Sequence, residues 1–238
     1  MTFTEWSETP LGQYLYQREQ AYFDQAVADL FGFNAVQIGS PQWDLLRNSR
    51  ITHRFHVNQA CAQVLAEPTH LPFANHSLDL LVLPHVLEFS DYPHQILREA
   101  ERVLIPEGNL LISGFNPRSL WGIYRWIHRN TQVYPWSGEF INLTRLKDWL
   151  SLLNCDVVSG HMCCYAPPLK SPNWMRQFEI MELAGDRWWA KGGGVYFIHA
   201  VKRVHGMRLI MPRWQTPTKI AVALRPANRS MQNESCDE

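Results

Sequence analysis

Between residues 11 and 31 the apolar positions Leu11, Tyr14, Leu15, Tyr22, Phe23, Ala26 and Leu30 recur at helical spacing, with Glu19, Gln20 and Asp24 between them. This is the pattern of an amphipathic helix, and Gly32 is placed to stop it. Ala35-Val36-Gln37-Ile38 then reads as a short apolar strand running into Gly39. Trp43 to Arg47 predict a helical turn, and residues 52–57 a second strand. The nearly unbroken apolar run Leu78–Leu83 has the character of a strand buried on both faces. Pro93 follows Asp91 at a helix start. From there Ile96, Leu97, Ala100, Val103 and Leu104 form one face, against Arg98, Glu99, Glu101 and Arg102 on the other. Pro106-Glu107-Gly108 is expected to end this helix, and residues 109–115 to form the next strand. Strand, crossover helix and strand make the unit of a parallel sheet.

In the second half, Thr144 is expected to cap a helix through Leu146, Trp149, Leu150 and Leu153. A strand follows over 155–159, reaching towards Tyr165, and then a helix over 174–183. Gly192-Gly193-Gly194 turns into a final strand over 195–201, which suits a reversed edge strand after a parallel run. The organisation expected is one α/β domain over 1–206, with helix 11–31 as a cap and a loose tail over 207–238. Residues 116–140, dense in Trp121, Tyr124, Trp126 and Trp136, read equally well as an apolar lid or as core.

Composition narrows the classes. In 238 residues, 46% hydrophobic and 18% charged positions exclude a disordered chain. Lys+Arg and Asp+Glu balance at 22 each, so no global field recruits nucleic acid or an anionic membrane. The basic tail residues Lys202, Arg203, Arg208, Arg213, Lys219, Arg225 and Arg229 are accompanied by Glu234, Asp237 and Glu238, as in a solvated tail. Five cysteines without a CxxC pair read as free thiols of a reducing compartment. The acidic, non-apolar start is unlike a signal peptide, and no apolar run reaches the ~18 residues of a spanning helix. A cytoplasmic protein is therefore expected. His53 and His56 have no evident third ligand, so no metal is expected.

In open α/β sheets, ligands bind beyond the carboxyl ends of the strands. That rule selects Gly39-Ser40-Pro41, Asn58, Pro84-His85 and Asn116-Pro117, with Glu67 four positions before Leu71-Pro72-Phe73. The run from Glu67 to Pro117, with Leu71-Pro72-Phe73, Asp79, Leu97-Arg98-Glu99, Arg102-Val103-Leu104, Pro106 and Gly108, resembles the class I S-adenosylmethionine-dependent methyltransferases. Within them it is most similar to the small-molecule branch of the biotin and ubiquinone pathways. The resemblance implies a Rossmann-like fold over roughly 30–204: a seven-stranded, mostly parallel sheet with an antiparallel last strand.

It also implies S-adenosylmethionine as cofactor and a small-molecule or lipid-like acceptor. The family's first loop, acid-apolar-Gly-x-Gly-x-Gly, matches Gln37, Ile38, Gly39, Ser40, Pro41, Gln42 and Trp43, a reduced form with one glycine of three. On this resemblance the cofactor is held by Gln37, Gly39, Ser40, Asn58, Glu67, Pro84 and His85. Asn58 falls at the ribose position and Glu67 at that of the adenine amino group; Pro84 and His85 fall beside the methyl-sulfur region. His85 and Glu88 are candidate bases, with Asn116 on the acceptor side. Trp6, Tyr14 and Tyr22 are expected to close over the pocket, and Arg18 to meet the cofactor carboxylate. The alternative is a non-catalytic binding or regulatory protein whose loop has degraded. A nicotinamide dehydrogenase ranks third, because its fingerprint needs the missing glycines and an acid after the second strand.

Overall fold

Thr9 accepts a hydrogen bond from the Gly12 amide (3.1 Å) and Pro10 opens the first turn, so the predicted first helix forms as α2, Pro10–Ala28. A short helix α1, Phe3–Ser7, precedes it. The computed structural model describes residues 3–40, 42–60, 62–128, 131, 133–168 and 192–204. Pro41, Cys61, Cys236, the expected helix over 174–183 and the expected tail over 207–238 lie outside the described residues.

After α2 come β1 (Asn34–Ile38), β2 (His53–Asn58), β3 (Val64–Leu65), β4 (Leu78–Pro84), α3 (Pro93–Val103), β5 (Leu104–Phe115), α4 (Leu120–Ile127), α5 (Leu143–Leu152), β6 (Cys155–Cys163) and β7 (Val195–Lys202). The strands form one seven-stranded sheet in the order β3-β2-β1-β4-β5-β7-β6. Pairings from β3 to β5 are parallel, and β7 runs antiparallel to both β5 and β6. Strand order reverses between β1 and β4, the topological switch point at which such sheets bind ligands.

The apolar run of β4 is explained by its two faces. Leu80 and Val82 belong to a core with α2, Trp43 and Trp121, whereas Leu81 and Leu83 belong to a second core with α3 and α5. Asp79 is held apart from both: its Oδ2 accepts from the Phe33 and Asn34 amides, each at 2.9 Å, and so sets the start of β1. Among the described residues no helix is long and apolar enough to cross a membrane.

Four local expectations change. The reversed last strand, β7, lies between β5 and β6 rather than at the sheet edge. Residues 45–48 form turns rather than a helix, because Gln37 Oε1 and Asp44 Oδ1 take the Leu45 and Leu46 amides. Pro106-Glu107-Gly108 does not end the helix but lies inside β5, where the β4–β5 register jumps between Leu78 and Leu80 and Glu107 turns to φ +63°. The cap of α5 is Asn142, whose Oδ1 accepts from the Thr144 amide at 3.2 Å.

Candidate active site

The carboxyl ends of β1, β2 and β4 and the turn after β3 open onto one cavity of about 550 Å³. Gly39 and Ser40 follow β1, Asn58 closes β2, Glu67 follows β3, and Pro84 and His85 lie at the end of β4; all six line this cavity. Phe3 of α1, Phe89 and Tyr134 supply its apolar wall. Glu67 is exposed at a turn closed by the His70 amide donating to its carbonyl (3.0 Å). Behind it, Arg102 is bound to the Glu99 carboxylate (2.6 Å) and donates to the Leu71 and Phe73 carbonyls, while Glu99 accepts from the Leu71 amide. The Arg102 hydrogen bond holds the Glu99 carboxyl below its usual pKa. The Leu71-Pro72-Phe73 and Glu99…Arg102 motifs thus act as a brace that fixes the loop carrying Glu67.

The β1 loop turns through two left-handed residues, Gly39 (φ +76°) and Ser40 (φ +46°). A Cβ on Gly39 would lie 3.2 Å from Val86 Cγ2, so the bare glycine keeps backbone exposed to the cavity. Gln37 is fully buried and lies behind this loop rather than in the cavity lining. Its Nε2 donates to the carbonyl of Trp43 (2.5 Å), with longer contacts to those of Gly39 and Ser40. Its Oε1 accepts from the Leu45 amide (2.9 Å). One neutral side chain therefore satisfies both donor and acceptor groups of the loop, which a carboxylate cannot do. We predict that Gln37→Glu lowers stability by about 2–3 kcal/mol, read as a denaturation midpoint, because it turns an acceptor-only group towards three carbonyls. Trp43, at the far end of this loop, packs edge-on against Phe3 at 5.1 Å and is buried.

His85 is held in the left-handed region (φ +51°) at the floor of the cavity. Its Nε2 meets Glu19 Oε1 of α2 at 2.5 Å, its Nδ1 meets Glu88 Oε1 at 3.3 Å, and its ring stacks on Phe115 at 4.0 Å. Glu88 Oε1 also accepts from the Phe115 amide (2.6 Å). All three side chains of this triad are buried. Burial alone would pull the imidazole down, but Glu19 and then Glu88 together outweigh it and lift His85 from 6.5 to about 10. His85 is therefore an imidazolium clamped between two carboxylates at neutral pH. Among the described residues, Glu19 Oε2 and Glu88 Oε2 accept no hydrogen bond. Burial, and then the Glu88 and Glu19 charges, push the Tyr134 phenol well above its usual range.

Residues 43–112 match the family described as "Methyltransferase domain". Together with the strand order and the reversed β7, this decides the fold. It is that of the class I methyltransferases. The matched stretch begins at Trp43, the last position of the loop after β1. Protein YafS of Escherichia coli (strain K12), described as uncharacterized, is 29% identical over 228 residues, covering 94% of this chain and 85% of its own length. Among solved structures, the fold is similar to a SAM-dependent methyltransferase of Thermotoga maritima described as a possible histamine N-methyltransferase. That similarity has a TM-score of 0.59 and 17% identity, covering 80% of this chain and 93% of that one. Geranyl diphosphate C-methyltransferase of Streptomyces coelicolor A3(2), in complex with Mg2+, geranyl diphosphate and S-adenosyl-L-homocysteine, gives 0.54 at 14% identity, over 78% and 79% of the two chains. The [4+2]-cyclase SpnF gives 0.54 at 16%, over 79% and 80%. A methyltransferase fold therefore hosts more than one reaction.

On this class I framework the predicted residues divide into lining and support. Gly39, Ser40, Asn58, Glu67, Pro84 and His85 are brought together in the cavity; Gln37, Glu88 and Asn116 stand behind it. Asn116 Nδ2 donates to the Gly193 carbonyl (3.0 Å) and its Oδ1 accepts from the Arg118 amide (3.0 Å), fixing the turn after β5. Arg18 and Tyr22 project to another side of α2, where they line a separate cavity with Phe197 and His161. Tyr14 lies beneath the Arg18 guanidinium, 5.7 Å from its ring centre, and lines neither cavity. Trp6 is buried against Tyr134 (5.0 Å), so it backs the wall that Phe3 and Tyr134 form. Glu19 was not among the expected site residues. Its signal is positional: it occupies the i+4 slot of the stripe Leu11, Leu15, Glu19, Phe23, Val27, all of which are buried.

Proposed function

We propose that this protein transfers the methyl group of S-adenosylmethionine to a small-molecule acceptor. The observation that carries this reading is the single cavity into which Gly39, Ser40, Asn58, Glu67, Pro84 and His85 all open. The cradle fits the cofactor. The glycine turn leaves backbone open for the methionine portion, Asn58 offers an amide to the ribose hydroxyls, and Glu67 an acceptor to the adenine amino group. When bound, the cofactor supplies an electrophilic methyl group on a sulfonium.

The chain's own work is chiefly to hold two reactants in line and keep water out. His85, already protonated, orients and does not accept a proton. Glu88, buried behind the cavity and held by the Phe115 amide, positions the His85 ring from its Nδ1 side. Asn116 keeps the acceptor-side turn in shape. Helix α1 closes over the site through Phe3, and Tyr134 closes it from the segment after β5. The buried thiol of Cys155 and the absence of a CxxC pair among the five cysteines of the sequence support a cytoplasmic location.

A second reading, ligand binding without methyl transfer, is favoured by the inward-facing Gln37 and by an amide at Asn58 where the family places an acid. The two readings part on turnover: production of S-adenosylhomocysteine belongs only to the first. The adenine contact tests the cofactor reading in both. Wild-type protein is expected to bind S-adenosylhomocysteine more tightly than S-inosylhomocysteine, which lacks the amino group. In Glu67→Ala the adenosyl ligand should lose about tenfold and the preference should disappear. Calorimetry reads both numbers, and a preference that survives Glu67→Ala refutes the assignment.

A further inference from the structure

A second cavity, of about 450 Å³, shares Tyr134 with the cofactor cavity. Its walls are mostly rings and aliphatic carbon: Trp6 and Leu11 from the N-terminal helices face Tyr124, Val133 and Trp136 from the segment after β5. Among the described residues no carboxylate, lysine or arginine lines it. Its volume is that of a small-ligand site, and its polar contacts reduce to a few hydroxyl and ring groups. An ion entering it would lose hydration with no carboxylate, lysine or arginine among the described lining residues to replace the lost water.

The other large cavity beside the site differs in each respect. It is lined by Asp91, Arg125, Glu139 and Arg145, but its guanidinium groups are engaged within the fold. Arg125 donates to the Gly138 carbonyl (2.5 Å) and lies over Phe140, and Arg145 lies over Trp149 at 4.9 Å. Tyr134 is a wall common to the aromatic cavity and to the cofactor cavity, which His85 also lines.

We infer that the methyl acceptor is an uncharged molecule built on an apolar ring system, held in the aromatic cavity between the N-terminal helices and the segment after β5. This rests on the cofactor reading above and adds the acceptor's chemical class: neutral and aromatic-sized, rather than a cationic amine or a carboxylate. The ring packs against Trp6, Tyr124 and Trp136, and its reactive end reaches the cofactor cavity beside Tyr134.

The test uses full-length protein saturated with S-adenosylhomocysteine and three probes of similar or smaller size: 2-naphthol, 2-naphthoate and histamine. Calorimetry is expected to detect 2-naphthol and neither ion. Val133→Trp, which fills the cavity from a half-buried position away from the cofactor lining, is expected to weaken 2-naphthol about tenfold or more. Its affinity for S-adenosylhomocysteine should stay unchanged. Thr131→Trp, on the same cavity wall, gives an independent version should Val133→Trp fail to fold. Unchanged 2-naphthol affinity in a folded variant, competition between 2-naphthol and S-adenosylhomocysteine, or tighter binding of either ion overturns the inference. Failure of S-adenosylhomocysteine to bind wild-type protein would instead strike the cofactor reading itself.

Discussion

Glu19→Gln is expected to destabilise the fold by about 3–5 kcal/mol and to flatten its response to alkaline pH. Glu19 is fully buried, and its Oε1 lies 2.5 Å from His85 Nε2. Removing that charge leaves a buried imidazolium with Glu88 as its remaining carboxylate, at 3.3 Å. The sign of the pH effect follows from the folded value of about 10 against 6.5 for a free histidine. Because the folded value is the higher, the stabilisation from His85 is complete below pH 6.5 and is lost as pH rises through about 10. Wild-type melting temperature should therefore fall across that window. In Glu19→Gln the melting temperature starts lower and the fall across the window is smaller, because the folded imidazole has lost its larger charge partner. Circular dichroism melts at several pH values read both effects. A variant that keeps the wild-type slope would show that Glu19 does not hold the proton on His85.

The second large effect belongs to Gly39→Val, which is expected to reduce affinity for S-adenosylhomocysteine by about a hundredfold or more. A β-branched residue at φ +76° is strained, and its Cβ would press on Val86, which also lines the cavity. The turn can relieve both only by moving Gly39 and Ser40, the backbone proposed to meet the ligand. Gly39→Ala carries the strain with less bulk and should lose about tenfold. An affinity series in the order Gly, Ala, Val tests the turn as a cradle. Equal affinities across the series would mean that the ligand does not approach this loop.

The sheet was legible because its central strands are apolar on both faces. Leu78–Leu83 and residues 195–201 could be read without knowing their partners. The two-residue β3 carries no period to detect, and the bulged start of β5 places a Pro-Glu-Gly turn sequence inside a strand. In the site, residues at strand ends were readable because topology alone delivers them to one edge: Gly39, Asn58, Pro84 and His85 needed only the strand positions. Glu67 came from its spacing to Leu71-Pro72-Phe73, which Arg102 and Glu99 anchor.

What could not be read is partnership across long separations. Glu19 looked like one more polar residue on a wet helix face; its partner lies 66 positions away, and only the fold supplies it. The same blindness put Arg18 and Tyr22 at the cofactor, whereas the rotation of α2 sends them to another cavity. Phe3 and Tyr134 line the site from a short helix and an irregular segment, where no periodicity marks an inward residue. Gln37 was matched to the family's acid by position, yet its hydrogen bonds give it the opposite orientation, into the loop.

The central claim is that the cavity at the carboxyl ends of β1, β2 and β4 holds S-adenosylmethionine. Calorimetric titration of the full-length protein with S-adenosylmethionine and S-adenosylhomocysteine tests it most directly. The account predicts saturable binding of both at one site per chain, lost or strongly weakened in Gly39→Val. Absence of heat and of any shift in melting temperature at millimolar ligand would contradict it.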